Sequence, residues 1–174
     1  MFYIESMRLR LIPLTHQLLQ QYHTSRPEME SALGLNHSEI KIDPLYVTEI
    51  EDALVNFWLP KTLAFPERYQ WFTSWEIVLK SDNISVGGIG FNGLPNEKKE
   101  AEIGYMIYEN QQGKGYATEA LQAMANWAFT HEEVETVVVQ TAADNIPSRK
   151  ILDKNGFVLA GESENILTYK LVRS

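Results

Sequence analysis

A short loop, residues 112–118, joins a predicted strand to a predicted amphipathic helix, and it restricts the possible folds more than any other segment. Its two glycines, Gly113 and Gly115, let the backbone turn sharply and approach a ligand with no Cβ in the way. Free N–H groups and the dipole at a helix start attract anions such as phosphate, and Lys114 adds a positive charge. The loop therefore predicts an anion site, although glycines that only cap and turn the chain would look the same.

Three phosphate-loop patterns can be compared with this segment. A P-loop needs serine or threonine after its lysine, whereas Gly115 follows Lys114. A dinucleotide fingerprint needs a third glycine where this chain has Thr118, and it expects a parallel βαβ unit before it. The third pattern, Gln/Arg-x-x-Gly-x-Gly/Ala, is met by Gln112, Gly115 and Ala117. A nucleotide-phosphate binding protein stays open on the loop alone.

The segments around the loop predict one domain over residues 1–174. Apolar spacing of about 3.6 residues predicts helices, and short branched or alternating runs predict strands. The predicted helices are 14–23, 25–36, 44–64, 115–129 and 145–154, and the predicted strands are 7–13, 71–79, 84–91, 100–108, 136–140, 157–160 and 166–172. This order predicts an α+β (mixed α/β) fold with one central, mostly antiparallel sheet of six to seven strands flanked by helices.

Composition excludes several classes of protein. The 174 residues contain no cysteine, which excludes disulfides, a thiolate zinc site and a cysteine nucleophile and suits a cytoplasmic location. No apolar run is long enough for a membrane span, and the N-terminus does not resemble a signal peptide. A net charge of −8 argues against nucleic acid and favours a cationic partner, or serves solubility alone. The four histidines show no metal-ligand spacing, so no metal site is predicted.

Two linked motifs give the sequence a family resemblance. Residues 101–105 and 112–121 resemble the acetyl-coenzyme A motif of the GNAT N-acetyltransferases, in particular the Rim-type branch that acetylates ribosomal-protein N-termini. Residues 145–157 match that branch's Asn-x-x-Ser/Ala and Lys-x-Gly-Phe pattern, and residues 7–11 resemble its first strand. The resemblance implies a GNAT fold splayed between the fourth and fifth strands. It also implies direct transfer of acetyl from acetyl-coenzyme A to a primary amine, either a small molecule or a protein N-terminus.

The same resemblance implies the cofactor-binding residues. The loop would take the pyrophosphate through its N–H groups, and the preceding strand would pair with the pantetheine arm. Asn145 would contact that arm, although its residue type also makes it a good helix N-cap. The implied set is Tyr105, Met106, Ile107, Gln112, Gly113, Lys114, Gly115, Tyr116, Ala117, Thr118, Asn145 and Ser148.

The chemistry would fall to Glu102 and Ser148. Glu102 is the predicted general base, unless it is a solvated strand residue or only binds the amine. Ser148 would lie near the sulphur, where many GNAT enzymes use a tyrosine acid four residues further on; here that position is Leu152. Gly104 predicts a β-bulge that would open the sheet for the arm, unless it is a packing glycine.

Some questions stay open at this level. A non-catalytic acyl-coenzyme A binding or sensing module is the alternative function, and the chain is expected to be a monomer or a homodimer. The four tryptophans are predicted to be core residues. The acidic residues that would favour a cationic acceptor are more simply solvated helix charges: Glu28, Glu30, Glu49, Glu51 and Asp52.

Overall fold

The computed structural model describes residues 1–174 and has one eight-stranded sheet in the order β1-β2-β3-β4-β5-β6-β8-β7. All neighbours are antiparallel except β5 and β6, which are parallel. The strands are β1 (Ile4–Glu5), β2 (Leu9–Pro13), β3 (Ser74–Leu79), β4 (Ile84–Phe91), β5 (Glu100–Ile107), β6 (Thr136–Ala142), β7 (Val158–Ser163) and β8 (Ile166–Val172). The predicted mixed α/β architecture is confirmed, with the two-residue β1 as an additional strand.

Six α-helices flank the sheet: α1 (His16–Thr24), α2 (Arg26–Ala32), α3 (Pro44–Ala53), α4 (Leu59–Ala64), α5 (Tyr116–Phe129) and α6 (Ile146–Lys154). The predicted helix 44–64 is helical throughout but contains a π-helical turn, Leu54–Trp58, between α3 and α4. A 3₁₀ helix, Pro66–Trp71, occupies the start of the predicted strand 71–79, so β3 begins only at Ser74. None of the helices has the length and apolar character that crossing a bilayer requires.

The main core lies between α5 and one face of the sheet. Alternate strand residues such as Ile77, Ile89 and Ile103 are buried there against Leu121 and Met124 of α5. Trp71 and Trp75 belong to this core, and Trp127 packs against it partly buried. Trp58 packs partly buried against a smaller cluster beneath α1, α2 and the π-helical turn. On the opposite sheet face, Ile12 and Val78 are buried with Leu35 in a third, smaller cluster.

The sheet opens between β5 and β6, which are the fourth and fifth predicted strands. Their pairing covers only Glu100–Glu102 against Thr136–Val138. Beyond Glu102, β5 stays paired with β4 alone, and β6 stays paired with β8 alone. The predicted splay is therefore present, and it leaves a gap, which we call the slot, beyond Glu102 and Val138.

Candidate active site

The loop before α5 forms a concave run of backbone donors. Gly113 and Gly115 have φ values of 78° and 84°, in the left-handed region that favours glycine. The N–H groups of residues 113–118 donate to no other backbone group, and no side chain caps α5. Successive free N–H groups at a helix start form an anion-binding concavity. Gly113 faces open space, since a Cβ there would meet nothing within 4 Å.

Arg8, which sequence reasoning missed as a site residue, holds this loop from the N-terminal segment. Its Nη1 donates to the Lys114 carbonyl at 2.9 Å, and its Nε pairs with Glu119 at 2.8 Å. Its Nη2 lies 3.2 Å from the place that a Cβ on Gly115 would occupy. The alternating pattern around Arg8 predicts only a strand, because no local signal indicates a partner about a hundred residues away.

Two side chains of the loop hydrogen-bond to neighbouring residues. The Gln112 amide donates to the Ile107 carbonyl at 3.0 Å, which ties the loop to the end of β5. The Lys114 ammonium donates to Gln111 Oε1 at 3.1 Å, so the positive charge of Lys114 lies next to the Gln111 side chain. A cavity of about 490 Å³ lies against this end of α5, between the loop and the N-terminal segment, with Thr118 and Lys154 in its wall.

The edge of β5 that faces the slot offers backbone hydrogen-bonding groups. Asn92 N–H donates to the Glu102 carbonyl, and Tyr108 N–H donates to the Val86 carbonyl, so even-numbered β5 residues pair with β4. Because an antiparallel ladder alternates, Tyr105 and Ile107 direct their backbone groups into the slot. Met106 belongs to the even-numbered set and turns its backbone to β4. Of the three strand residues implied by the resemblance, two can thus pair with an extended ligand.

The predicted bulge at Gly104 is wrong. The β4–β5 register runs without a shift from Gly87↔Ile107 to Phe91↔Ile103, and Gly104 lies opposite Gly90. The slot opens because β6 leaves β5, with no extra residue in either strand. Gly104 is exposed, and a Cβ there would meet nothing within 4 Å, so this position leaves free surface beside the slot.

Glu102 lies where the β5–β6 pairing ends. It is half-buried, and the Asn92 amide donates to its Oε2. Residues 102, 104 and 106 project to the sheet face opposite the main core, because side chains alternate along a strand and Ala101 and Ile103 are in that core. A carboxylate held by one amide, beside the accessible Gly104, is placed to meet an amine on that face.

Asn145 and Ser148 begin α6 on the other side of the slot. The Asn145 side chain accepts a hydrogen bond from Ser148 N at 3.2 Å, so the predicted N-cap is confirmed. The Ser148 hydroxyl lies 2.9 Å from the Tyr105 hydroxyl. Burial raises the pKa of Tyr105, and the hydrogen bond with Ser148 acts in the opposite direction. Leu152, at the position where many GNAT enzymes have the tyrosine acid, is fully buried.

The acidic helix residues are exposed as predicted, except Glu30, which is 2% exposed. Glu30 lies 3.8 Å from Arg26 in α2, and Arg26 makes two hydrogen bonds to Glu76 of β3, at 2.9 and 3.2 Å. The expectation of solvated charge fails there because helical spacing does not show that a second carboxylate and a guanidinium meet beneath α2. This buried cluster joins α2 to β3.

A coenzyme A-like molecule fits these features together. Its phosphates match the free N–H groups of residues 113–118, and its extended amide arm matches the free edge of β5. The slot leads from the loop to Glu102 and Ser148. The chain itself supplies the donors that such a ligand needs, without a cluster of lysines or arginines.

Comparisons with known proteins identify the family of the chain and agree with its fold. A family model described as an acetyltransferase (GNAT) domain matches residues 8–158. An N-acetyltransferase of Bacillus subtilis (strain 168), YjdG, is 41% identical over 92 residues, which cover 53% of this chain and 55% of that protein. The ribosomal-protein-serine acetyltransferase of Escherichia coli (strain K12) is 35% identical over 85 residues, 49% of this chain and 47% of that protein. The chain spans about half the length of the curated relatives it matches.

Solved structures extend the likeness over the whole chain. The ribosomal L7/L12 alpha-N-protein acetyltransferase RimL, in complex with coenzyme A, has a TM-score of 0.69 at 22% identity and covers 98% of both chains. The ribosomal-protein-S5-alanine acetyltransferase of Vibrio fischeri has a TM-score of 0.67 at 17% identity, covering 99% of this chain and 97% of that one. At these identities the likeness establishes the fold.

Proposed function

This chain belongs to the GNAT acetyltransferases, and we propose that it transfers the acetyl group of acetyl-coenzyme A to a primary amine by direct attack. One observation carries the proposal: the free N–H groups of residues 113–118 lie at the start of a slot between β5 and β6. The slot leads to a half-buried carboxylate and a pair of hydroxyls. We further propose that residues 1–174 act as one catalytic domain.

Binding would use mostly backbone groups. The N–H groups of residues 113–118 hold the pyrophosphate, and the positive end of the α5 dipole favours its charge. Tyr105 and Ile107 hold the pantetheine arm as an added strand would be held. Asn145 Nδ2 is available to the same arm, since its oxygen caps α6. Acetyl-coenzyme A, the co-substrate, supplies the reactive thioester.

Catalysis would then need a base at the amine and a donor at the sulphur. Glu102 accepts the amine proton, directly or through water, and the Asn92 amide keeps its carboxylate oriented toward the open face at Gly104. Ser148 hydrogen-bonds to the leaving sulphur from the other side of the slot. No residue of the chain forms a covalent bond to the acetyl group, so two substrates react within one complex.

The acceptor we propose is a protein N-terminus or a small amine. The named relatives include ribosomal-protein acetyltransferases, which supports the first possibility. The chain's net charge of −8 suits a cationic acceptor of either kind. The alternative function, an acyl-coenzyme A sensor, is favoured by one observation: Leu152 replaces the tyrosine acid that many enzymes of this fold use.

Thermal unfolding with added ligands tests the cofactor assignment. Acetyl-coenzyme A and coenzyme A should raise the melting temperature, whereas ATP and NAD should not, because a ligand of the native state stabilises it. Gly115→Glu should abolish the shift by placing a carboxylate in the loop. Gly34→Glu is the control for the backbone strain, because Gly34 likewise has positive φ and a Cβ there would meet nothing within 4 Å. If neither coenzyme A form stabilises the wild-type chain, the proposed function is wrong.

Release of free thiol over a panel of amines separates the enzyme from the sensor. The panel includes peptides with free N-termini, the same peptides with blocked N-termini, and small polyamines. An enzyme releases thiol only with free amines and forms the acetylated product. Tight coenzyme A binding with no thiol release across the panel would favour the sensor instead.

A further inference from the structure

The contact between Tyr105 and Ser148 crosses the slot, and the proposed chemistry leaves the Tyr105 side chain without a role. The two hydroxyl oxygens are 2.9 Å apart. Tyr105 is on β5, three residues beyond Glu102, the last residue of that strand that pairs with β6, and Ser148 is in the first turn of α6. Tyr105 also packs against the main core, so its ring is held on one side by apolar neighbours.

We propose that Tyr105 is a positioning residue: its hydroxyl donates to Ser148 Oγ and so directs the Ser148 proton into the slot, toward the coenzyme A sulphur. The inference rests on the proposed function. It assigns to the Tyr105 side chain a part in the departure of the thiol, beyond the backbone contact with the arm.

Either hydroxyl can donate to the other at this distance, and the proposed direction has a definite consequence for Ser148. A serine hydroxyl has one hydrogen and two acceptor positions. If Ser148 accepts from Tyr105, its own hydrogen is left for another acceptor. Asn145 holds the Ser148 backbone at 3.2 Å, so both ends of this residue are fixed. Leu152, one turn further along α6, is fully buried and offers no donor.

The relative acidities decide whether a proton moves. Burial raises the pKa of Tyr105 above its ordinary value of 10.0, whereas a free thiol has a pKa of about 8.5. Transfer of the phenol proton to a thiolate is therefore unfavourable, and Tyr105 stays protonated over the working pH range. Both hydroxyls keep their protons. The sulphur leaves with the electron pair of the carbon–sulphur bond, stabilised by the Ser148 hydrogen bond, and later takes a proton from water.

A donor aimed at sulphur should lower the pKa of the bound coenzyme A thiol, and this can be measured without an acceptor. Binding of coenzyme A and of desulfo-coenzyme A is measured by calorimetry between about pH 6.5 and about pH 9.5, which brackets the ordinary thiol pKa. If the bound thiol pKa falls by about one unit, coenzyme A gains roughly tenfold in affinity over its desulfo analogue across this range. Wild-type protein should show that gain.

Tyr105→Phe and Ser148→Ala should each remove most of the gain while desulfo-coenzyme A still binds normally. The double variant should match either single variant, because two residues that act as a unit are not additive. Tyr69→Phe is the matched control and should keep the full gain. Tyr69 is another partly buried tyrosine whose pKa is raised by burial, and it lies in the 3₁₀ helix Pro66–Trp71, away from the slot.

The possible failures are distinguishable. No coenzyme A binding by the wild-type protein overturns the proposed function itself. If coenzyme A binds but its affinity relative to desulfo-coenzyme A does not change with pH, the present inference is overturned and the proposed function is not affected. A full gain in Tyr105→Phe also overturns it, because Ser148 then acts alone. If Tyr105→Phe fails to fold, a full gain in Ser148→Ala has the same consequence.

Discussion

Glu102 owes its position to the point at which one strand leaves another. It is the last β5 residue paired with β6, and the Asn92 amide holds its carboxylate on the open face. A general base typically accelerates a reaction by a factor of about 10²–10⁴. Glu102→Gln should therefore lower the rate of thiol release by at least about a hundredfold and flatten its rise with pH. The measurement is kcat against pH, with coenzyme A affinity as the check on folding.

Glu97→Gln is the control for this prediction, since it removes an exposed carboxylate from the connection between β4 and β5. It should leave both the rate and its pH profile unchanged. Unchanged kinetics in Glu102→Gln would mean that Glu102 is not the base. A raised KM for the amine with a normal kcat would assign it to amine binding instead.

Arg8 is a second residue whose effect can be isolated. Its Nη1 holds the Lys114 carbonyl, and its Nη2 lies beside Gly115. Arg8→Gln should weaken coenzyme A binding several-fold, because the loop loses a contact that fixes its N–H groups. Calorimetry measures the dissociation constant. Arg68→Gln is the matched control: Arg68 is 41% exposed against 42% for Arg8 and also pairs with a glutamate, Glu133, away from the loop. Equal affinities in the two variants would contradict this role.

Helices and strands could be predicted from the sequence where a local pattern of residue types determines them. The spacing of small and apolar residues predicts α5 almost to its ends, and Asn145 caps α6 as its residue type suggests. The regular pairing of Gly104 was not predictable, because the sequence alone does not distinguish an exposed strand glycine from a glycine in a bulge. The Arg8 contact with the loop and the buried Glu30 depend on partners distant in sequence or across the sheet. Local rules cannot provide these tertiary contacts.

The contact between the N-terminal segment and α5 should depend on pH. Burial opposes ionisation of Glu119, but hydrogen bonds from Ser6 and Arg8 outweigh it and lower the pKa of this carboxyl below 4.5. A lowered folded-state pKa contributes stability above the unfolded value, and that contribution is lost as the pH falls through the folded value. Glu119→Gln should therefore lower the melting temperature near neutral pH and make less difference below about pH 4.

Melting temperatures of wild type and Glu119→Gln, measured across that pH range, check this expectation. Glu133→Gln is the matched control, because it removes the more exposed Arg68–Glu133 contact. Its effect should be small at every pH, as is usual for exposed pairs. A constant difference between Glu119→Gln and wild type at all pH values would rule out the proposed titration.

At the scale of the whole molecule, the buried cluster under α2 connects this helix to β3 and to the residue that follows β5. Arg26 joins α2 to Glu76 of β3, and its guanidinium lies 5.5 Å from the ring of Tyr108, which precedes the loop. Two carboxylates, Glu30 and Glu76, share this one guanidinium. Removing Arg26 would leave Glu76 buried without its partner, a change that typically costs about 3–5 kcal/mol. The position of α2 thus depends on β3 and on the residue that joins β5 to the loop.

Glu30 is the second carboxylate beside a single guanidinium. Removing its charge should stabilise the fold, whereas removing Arg26 should destabilise it. Burial raises the pKa of Glu30, and the nearby Glu76 raises it further, against the effect of Arg26. A raised folded-state pKa contributes stability below the unfolded value of 4.5, and this is lost as the pH rises through the folded value. Glu30→Gln should therefore stabilise the protein near neutral pH, and its gain in free energy of unfolding over wild type should disappear at about pH 4.5.

Urea unfolding at both pH values measures the effect, with Glu28→Gln as the control on the exposed side of α2. The control should leave the free energy of unfolding nearly unchanged at both pH values. Destabilisation by Glu30→Gln near neutral pH would mean that the ionised Glu30–Arg26 pair stabilises the fold. In that case all three charged groups would be needed to hold α2 against the sheet.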